Sequence, residues 1–245
     1  MKRRGHWGIR CWRAIAPAAL LVSLAVPQLV LERPLVAQAT TPGAVRPELS
    51  TYAGASAVGK PTEVAQQPFG LAVSGRYTFV ADPTNHVVRL LIDNGELGFA
   101  GAGALAVEGD GGDPAKAQLA GPYAVAIGQV TQAGYQVTGF DVYIADTFGH
   151  QIRKVSVTVP PIGSPSAVKT AVISTIAGTG TFGFQGDNGP ATSAQLNSPY
   201  GVAWDPKRNV VFVADTLNNR VRAISGTGTI TTVLAAPLNH PRALA

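Results

Sequence analysis

An aspartate closes each of three apolar runs in the chain, and an arginine follows it seven positions later: Asp82 with Arg89, Asp146 with Arg153, and Asp215 with Arg222. A ring of carboxylates is one way to build a metal site. The repetition favours geometry instead, because what every copy of a unit shares is most simply the unit's own architecture. An Asp at a strand end accepts the free N–H groups of the following turn. The Arg lies on the same sheet face, one diagonal step away. If the units stack face to face, the pair is cut off from water and each charge must satisfy the other. Asn85, Gly149 and Asn218, three positions after each Asp, are then the expected left-handed turn residues.

Other residues invite more specific chemistry. His86 and His150 occupy equivalent turn positions, where Asn219 fills the third. Two imidazoles suggest zinc, but a zinc site needs further ligands and the sequence offers none at matching positions. Asp110 and Asp187 sit in the loops Glu108–Asp113 and Gln185–Gly189, which could offer calcium carboxylate and carbonyl oxygens. They lack the spacing and the bidentate Glu of a 12-residue calcium loop. Turn folding is the simpler role, and calcium stays as the one cofactor candidate. Phe69, Tyr123 and Tyr200 each follow a proline at the start of an apolar run. They are candidates for a ligand-facing rim, with wedging between units as the structural alternative. The runs 69–73, 123–127 and 200–204 hold no His, Asp or Glu. No nucleophile–base pair or phosphate-cradling loop appears, so no catalytic residue is assigned.

These residues are positioned by a repeat. Each unit reads as four short strands: Pro-aromatic-x-apolar-Ala-apolar, the run ending in Ala-Asp, the strand carrying the Arg, and a last strand such as Ile173–Gly178 or Ile230–Ala235. From proline to proline the units are 54, 77 and 42 residues long, and the differences fall in loops. The loops Gly101–Pro122 and Gly178–Pro199 have equal length and match in step at Gly109/Gly186, Asp110/Asp187, Ala117/Ala194, Gln118/Gln195 and Leu119/Leu196. Each predicts a short helical turn, at Pro114–Leu119 and Ala191–Leu196. The second unit has two insertions of its own, Gly128–Gly139 and Ser156–Ala171, both expected on the face opposite the Gly-Asp loops. Four-stranded units of this size predict β-propeller blades. With 28 Gly and 18 Pro, a helical bundle is excluded.

Tyr200–Asp205, Phe212–Arg222 and Gly186–Thr192 closely resemble NHL repeats of the bacterial secreted type, also found in teneurin-like propellers. The likeness covers residues 48–245. It implies an all-β propeller, usually six-bladed, that binds proteins or other ligands without catalysis. Some relatives are enzymes, so a metal-dependent lyase or lactone hydrolase on the same scaffold is the alternative. The expected organisation is a signal peptide over 1–39, a linker over 40–47, and a partial propeller over 48–245. Its three complete blades fall at about 68–101, 122–178 and 199–235. Glu48–Gly54 reads as an isolated outer strand and Pro241 as the start of a further blade, giving partial blades at both ends. Three blades are fewer than a propeller ring normally needs, so the segment is expected not to close a ring by itself.

The charge of +5 sits at one end. Residues 1–39 carry six basic residues and one acidic, whereas 40–245 carry 13 of each. The neutral domain has no footprint for phosphate backbones, which excludes nucleic acid as a partner. Met1–Arg13 is basic, Ala14–Leu31 is free of charge, and Val36-Ala37-Gln38-Ala39 suits signal peptidase. A secreted, periplasmic or cell-envelope location follows. The membrane enters only if the segment remains as an uncleaved anchor. The partner expected is a protein or extracellular ligand. The single cysteine, Cys11, lies before the apolar run, so the domain has no disulfide, thiolate or Cys metal site.

Overall fold

The computed structural model describes residues 68–75, 77–92, 95–134, 136–159, 170–235 and 237–244. The expected signal peptide, the linker, the strand at Glu48–Gly54 and residues 160–169 of the second insertion lie outside the described residues. So do Gln67, Tyr135 and a few loop positions.

Among the described residues, twelve strands form three four-stranded antiparallel sheets in simple meander order. The first holds β1 (Leu71–Ser74), β2 (Tyr77–Asp82), β3 (Val87–Ile92) and β4 (Gly95–Ala100). The second holds β5 (Pro122–Ala133), β6 (Gln136–Asp146), β7 (Gln151–Thr158) and β8 (Thr170–Ala177). The third holds β9 (Pro199–Asp205), β10 (Val210–Asp215), β11 (Arg220–Ser225) and β12 (Ile230–Leu234). These are the three complete blades the repeat predicts, and the fold is an all-β propeller architecture. Among the described residues no helix is long and apolar enough to cross a membrane.

The stacking of blades follows from period-two alternation. On β6, Val142 and Ile144 face one way and join Phe79, Leu90 and Phe99 of the first blade. Tyr143 and Ala145 face the other way and join Val202, Val213 and Ile230 of the third. The stretch Val142–Ala145 of this middle-blade strand is therefore apolar at every position. Each fully buried Ile, Leu or Phe contributes roughly 1.5–3 kcal/mol. The innermost strands β1, β5 and β9 neighbour one another. A side chain at Gly70 would strike the Tyr123 carbonyl at 2.6 Å, so glycine allows this approach.

The Gly-Asp loops latch each blade to the next. Gly111 donates to the Ile173 carbonyl and Ile173 donates back to Gly112, so the first loop adds a rung to the outer strand β8. Asn188 and Gly189 do the same with Ile230 of β12. Gly109 and Gly186 sit at φ +92° and +88°, where a side chain would collide with the Ala117 and Ala194 backbone. Their pairing with Ala117 and Ala194, visible as identities in the sequence, is therefore a packing requirement. The expected helical turns are single 3-10 turns at Pro114–Lys116 and Ala191–Ser193.

One turn reading is corrected. The left-handed residue is the fourth after the Asp, not the third: His86, His150 and Asn219 have φ of 56°, 52° and 54°. Asn85 and Asn218 serve a different purpose, because their side chains return to the preceding aspartate.

The first insertion is not a loose loop. It continues β5 and β6 into a hairpin that reaches Ala133 and Gln136, with register shifts between Ile127 and Val130 and at Thr131/Gln132. Its base walls a shallow apolar cleft lined by Ser74, Tyr77, Phe79, Ile127, Val130, Val137 and Phe140. This cleft opens on the face opposite the latching loops.

Candidate functional site

The recurring arginines are almost wholly buried, at 2%, 1% and 0% exposure for Arg89, Arg153 and Arg222. The first holds its expected partner at hydrogen-bond distance. Arg89 donates through Nε to Asp82 Oδ2 at 3.1 Å and also binds Glu96. In the other blades the closest carboxylate comes from the latching loop. Arg222 Nη2 and Nε reach Asp187 Oδ1 at 2.7 and 3.1 Å, whereas Asp215 stands 3.7 Å away. Arg153 binds Asp110 and lies 3.9 Å from Asp146. The expected Asp146–Arg153 and Asp215–Arg222 pairs stand at ion-pair distance, and the loop carboxylates Asp110 and Asp187 bind the same arginines more closely. The first blade's Glu96 takes the place the loop aspartate fills elsewhere.

Asp110 and Asp187 consequently have both oxygens engaged. Asp110 Oδ2 accepts the Thr175 N–H at 2.9 Å, and Asp187 Oδ2 accepts the Thr232 hydroxyl at 2.6 Å. Burial alone would raise both carboxyls. The threonine hydrogen bonds and the arginine charge outweigh it and hold both below the ordinary range. Their placement is that of latches between loop and blade.

The three strand aspartates are equally buried but unequally satisfied. Asp82 accepts the Asn85 amide at 2.8 Å and the Asn85 N–H at 3.2 Å. Asp215 accepts the Asn218 amide at 2.8 Å and the Asn197 N–H at 2.7 Å. Asp146 has Gly149 where its counterparts have Asn. The Ala120 N–H approaches it, yet neither of its oxygens receives a hydrogen bond among the described residues. Burial pushes its carboxyl up to about 7, against the pull of the nearby Arg153 charge.

The turn histidines do not converge. His150 Nδ1 accepts the Ser198 N–H at 3.0 Å, which fixes the neutral tautomer with the proton on Nε2. Burial pushes its imidazole down. Among the described residues no three His, Cys, Asp or Glu side chains gather closely enough to hold a metal ion.

The aromatic residues do converge. The first strand of each blade begins where the latching loop and the turn between the second and third strands lie, so topology collects these residues on one face. Phe69 and Tyr123 meet edge to face with ring centroids 4.7 Å apart, and Tyr123 and Tyr200 are again 4.7 Å apart. Phe148 packs edge-on against Tyr123 at 5.5 Å. The ladder ends in Arg242, whose guanidinium lies 5.1 Å over the Tyr200 ring. Phe69 is 63% exposed, and Phe148, Phe182 and Leu217 on the same face are 50%, 68% and 48% exposed. These side chains leave apolar area exposed on the loop face. Sequence reasoning found Phe69, Tyr123 and Tyr200 but missed Phe148 and Arg242. The signal for Arg242 was present, since Pro241-Arg242 stands in the register of Pro68-Phe69, Pro122-Tyr123 and Pro199-Tyr200.

No family model matches the chain. Among curated proteins, NHL repeat-containing protein 2 of Bos taurus and of Homo sapiens are each 31% identical over 83 residues. The match covers 34% of this chain and only 11% of those proteins. Similar solved structures include an auxiliary nutrient binding protein from Bacteroides thetaiotaomicron (TM-score 0.48, 23% identity, 67% of this chain and 37% of that one). A streptogramin B lyase is also similar (TM-score 0.41, 13% identity, 74% and 45%). The three meander sheets and the repeat match together define the class: an all-β propeller. Over those 83 residues the chain is similar to an NHL repeat-containing protein.

Proposed function

We propose that this chain is an exported NHL-repeat propeller that acts as a non-catalytic binding module and takes a protein or extracellular ligand on its loop face. The observation that carries the reading is the aromatic ladder Phe69–Tyr123–Tyr200. It presents ring area on rigid strand starts, where little side-chain entropy remains to be lost on binding. The recurring carboxylates are committed to latches and turns, which leaves the rim as the chemically available surface. The test is ligand-observed saturation-transfer NMR on the full chain with indole as an aromatic probe. Transfer is expected with the native protein, lost in Tyr123→Ala/Tyr200→Ala, and retained in Phe140→Ala on the opposite cleft. Transfer that persists without the tyrosines overturns the reading.

Export rests on the basic, then apolar, then Ala-x-Ala order of residues 1–39. Mass spectrometry of the protein made in a secreting host is expected to find a mature chain starting at Thr40. Intact Met1 on membrane-bound protein would contradict cleavage and favour the anchor.

A further inference from the structure

The rim carries a cation. Arg242 is exposed, and its guanidinium lies over the face of Tyr200. Among the described residues its guanidinium makes no ion pair, in contrast to Arg89, Arg153 and Arg222, which the blades bury and neutralise. The Tyr123 and Tyr200 hydroxyls stand in the same small region. Burial raises the Tyr123 phenol, the neighbouring Tyr200 raises it further, and Arg242 pulls it back. Neither phenol is hydrogen-bonded among the described residues, so each offers an O–H donor beside the five N–H donors of the guanidinium.

Resting on the binding role proposed above, we infer that this end of the rim takes a small planar-ring carboxylate. The ring lies along the Tyr123–Tyr200 ladder and the carboxylate meets the Arg242 fork and the two phenols. A guanidinium matches a carboxylate with two parallel N–H···O bonds, and its position over Tyr200 fixes where the charge must sit. The ladder supplies the apolar part, because tilted ring pairs leave edges and faces for a further ring. A neutral ring satisfies only the first half of the site, and a bare anion only the second. Binding transfers no proton and makes no covalent bond.

Three probes separate these components on the full chain: indole-3-acetate, indole-3-acetamide and inorganic phosphate. At low ionic strength the acetate is expected to bind about tenfold more tightly than the acetamide, the gain of one charge-assisted contact. Arg242→Gln is expected to bring that ratio close to one, chiefly by weakening the binding of the acetate. Tyr200→Phe keeps the ring and is expected to reduce the ratio in part. Raised salt should shrink it as well. Equal affinity for acetate and acetamide would overturn the carboxylate inference and leave the aromatic rim standing. Phosphate binding as tight as the acetate would show that charge alone suffices and overturn the ring component. Absence of binding by both indoles would remove the inference and the binding role together.

Discussion

Arg222→Met is expected to cost about 3–5 kcal/mol of stability, enough to lower the melting temperature by on the order of 10 °C. Methionine keeps most of the buried stem, so the loss isolates the charge and its hydrogen bonds. Arg222 is fully buried. It donates to Asp187 and to the Gln195 carbonyl at 2.6 Å, and it faces Asp215 at 3.7 Å. Removing it strands a buried carboxylate and frees the loop that ties the second blade to the third. The control is Arg208→Met, whose pair with Asp205 is on the surface, the arginine being 74% exposed. Exposed pairs contribute little, and that variant is expected to melt like the native protein. Equal, small effects of the two substitutions would show that the clamps are not what joins the blades.

Gly149→Asn is expected to stabilise the protein increasingly as pH rises, because it restores the donor that Asp82 and Asp215 already have. Asp146 has a folded-state pKa of about 7 against an ordinary 3.8. A carboxyl shifted in this direction holds its proton more tightly when folded. Its contribution to stability is complete below pH 3.8 and is lost as pH climbs through about 7. The groups that act on it are Arg153, already bound to Asp110, and the Ala120 N–H. Burial-lowered His150 works the other way, weakening the fold as pH falls below its ordinary range. The difference between variant and native protein cancels that opposing effect. Between pH 5 and 8 the difference in unfolding free energy is expected to grow by roughly 2–3 kcal/mol. A side chain at 149 meets the Val107 methyl at 2.7 Å and Asp146 Oδ2 at 3.1 Å, so Val107 must shift for the amide to reach the carboxylate. A pH-independent gain would reflect only the lost freedom of glycine in the unfolded chain and would contradict the account of Asp146.

The fold was legible because its signals are local and repeated. Ala-Asp at a strand end, a four-residue turn and a following strand recur three times, and each recurrence is an independent vote for the same hairpin. The in-step identities of Gly109/Gly186 and Ala117/Ala194 report a contact that only glycine permits. The partner of each arginine was not legible in the same way. Asp146 and Asp215 are near in sequence and on the right face, yet Arg153 and Arg222 turn to Asp110 and Asp187, 43 and 35 residues away. The loop's reach to the next blade's outer strand is a tertiary fact that spacing does not encode. Gly149 was read as a turn glycine because its neighbours are asparagines, a type that tolerates left-handed backbone. The asparagines are there for their amides, and the left-handed residue is the one after. Arg242 escaped because the eye sought an aromatic ring at its position, whereas a guanidinium stacks on a ring as well.

The most direct test of the account is protein-observed NMR of the full chain labelled with ring-carbon-13 tyrosine, titrated with indole-3-acetate. Four of the six tyrosines are described here: Tyr77 beside the opposite cleft, Tyr143 between blades, and Tyr123 and Tyr200 on the rim. The account predicts that the Tyr123 and Tyr200 signals, assigned by single Phe substitutions, shift together with one dissociation constant while Tyr77 and Tyr143 stay in place. Movement of Tyr77 with a silent Tyr123 and Tyr200 would place the ligand in the cleft walled by the β5–β6 hairpin and contradict the rim as the binding site.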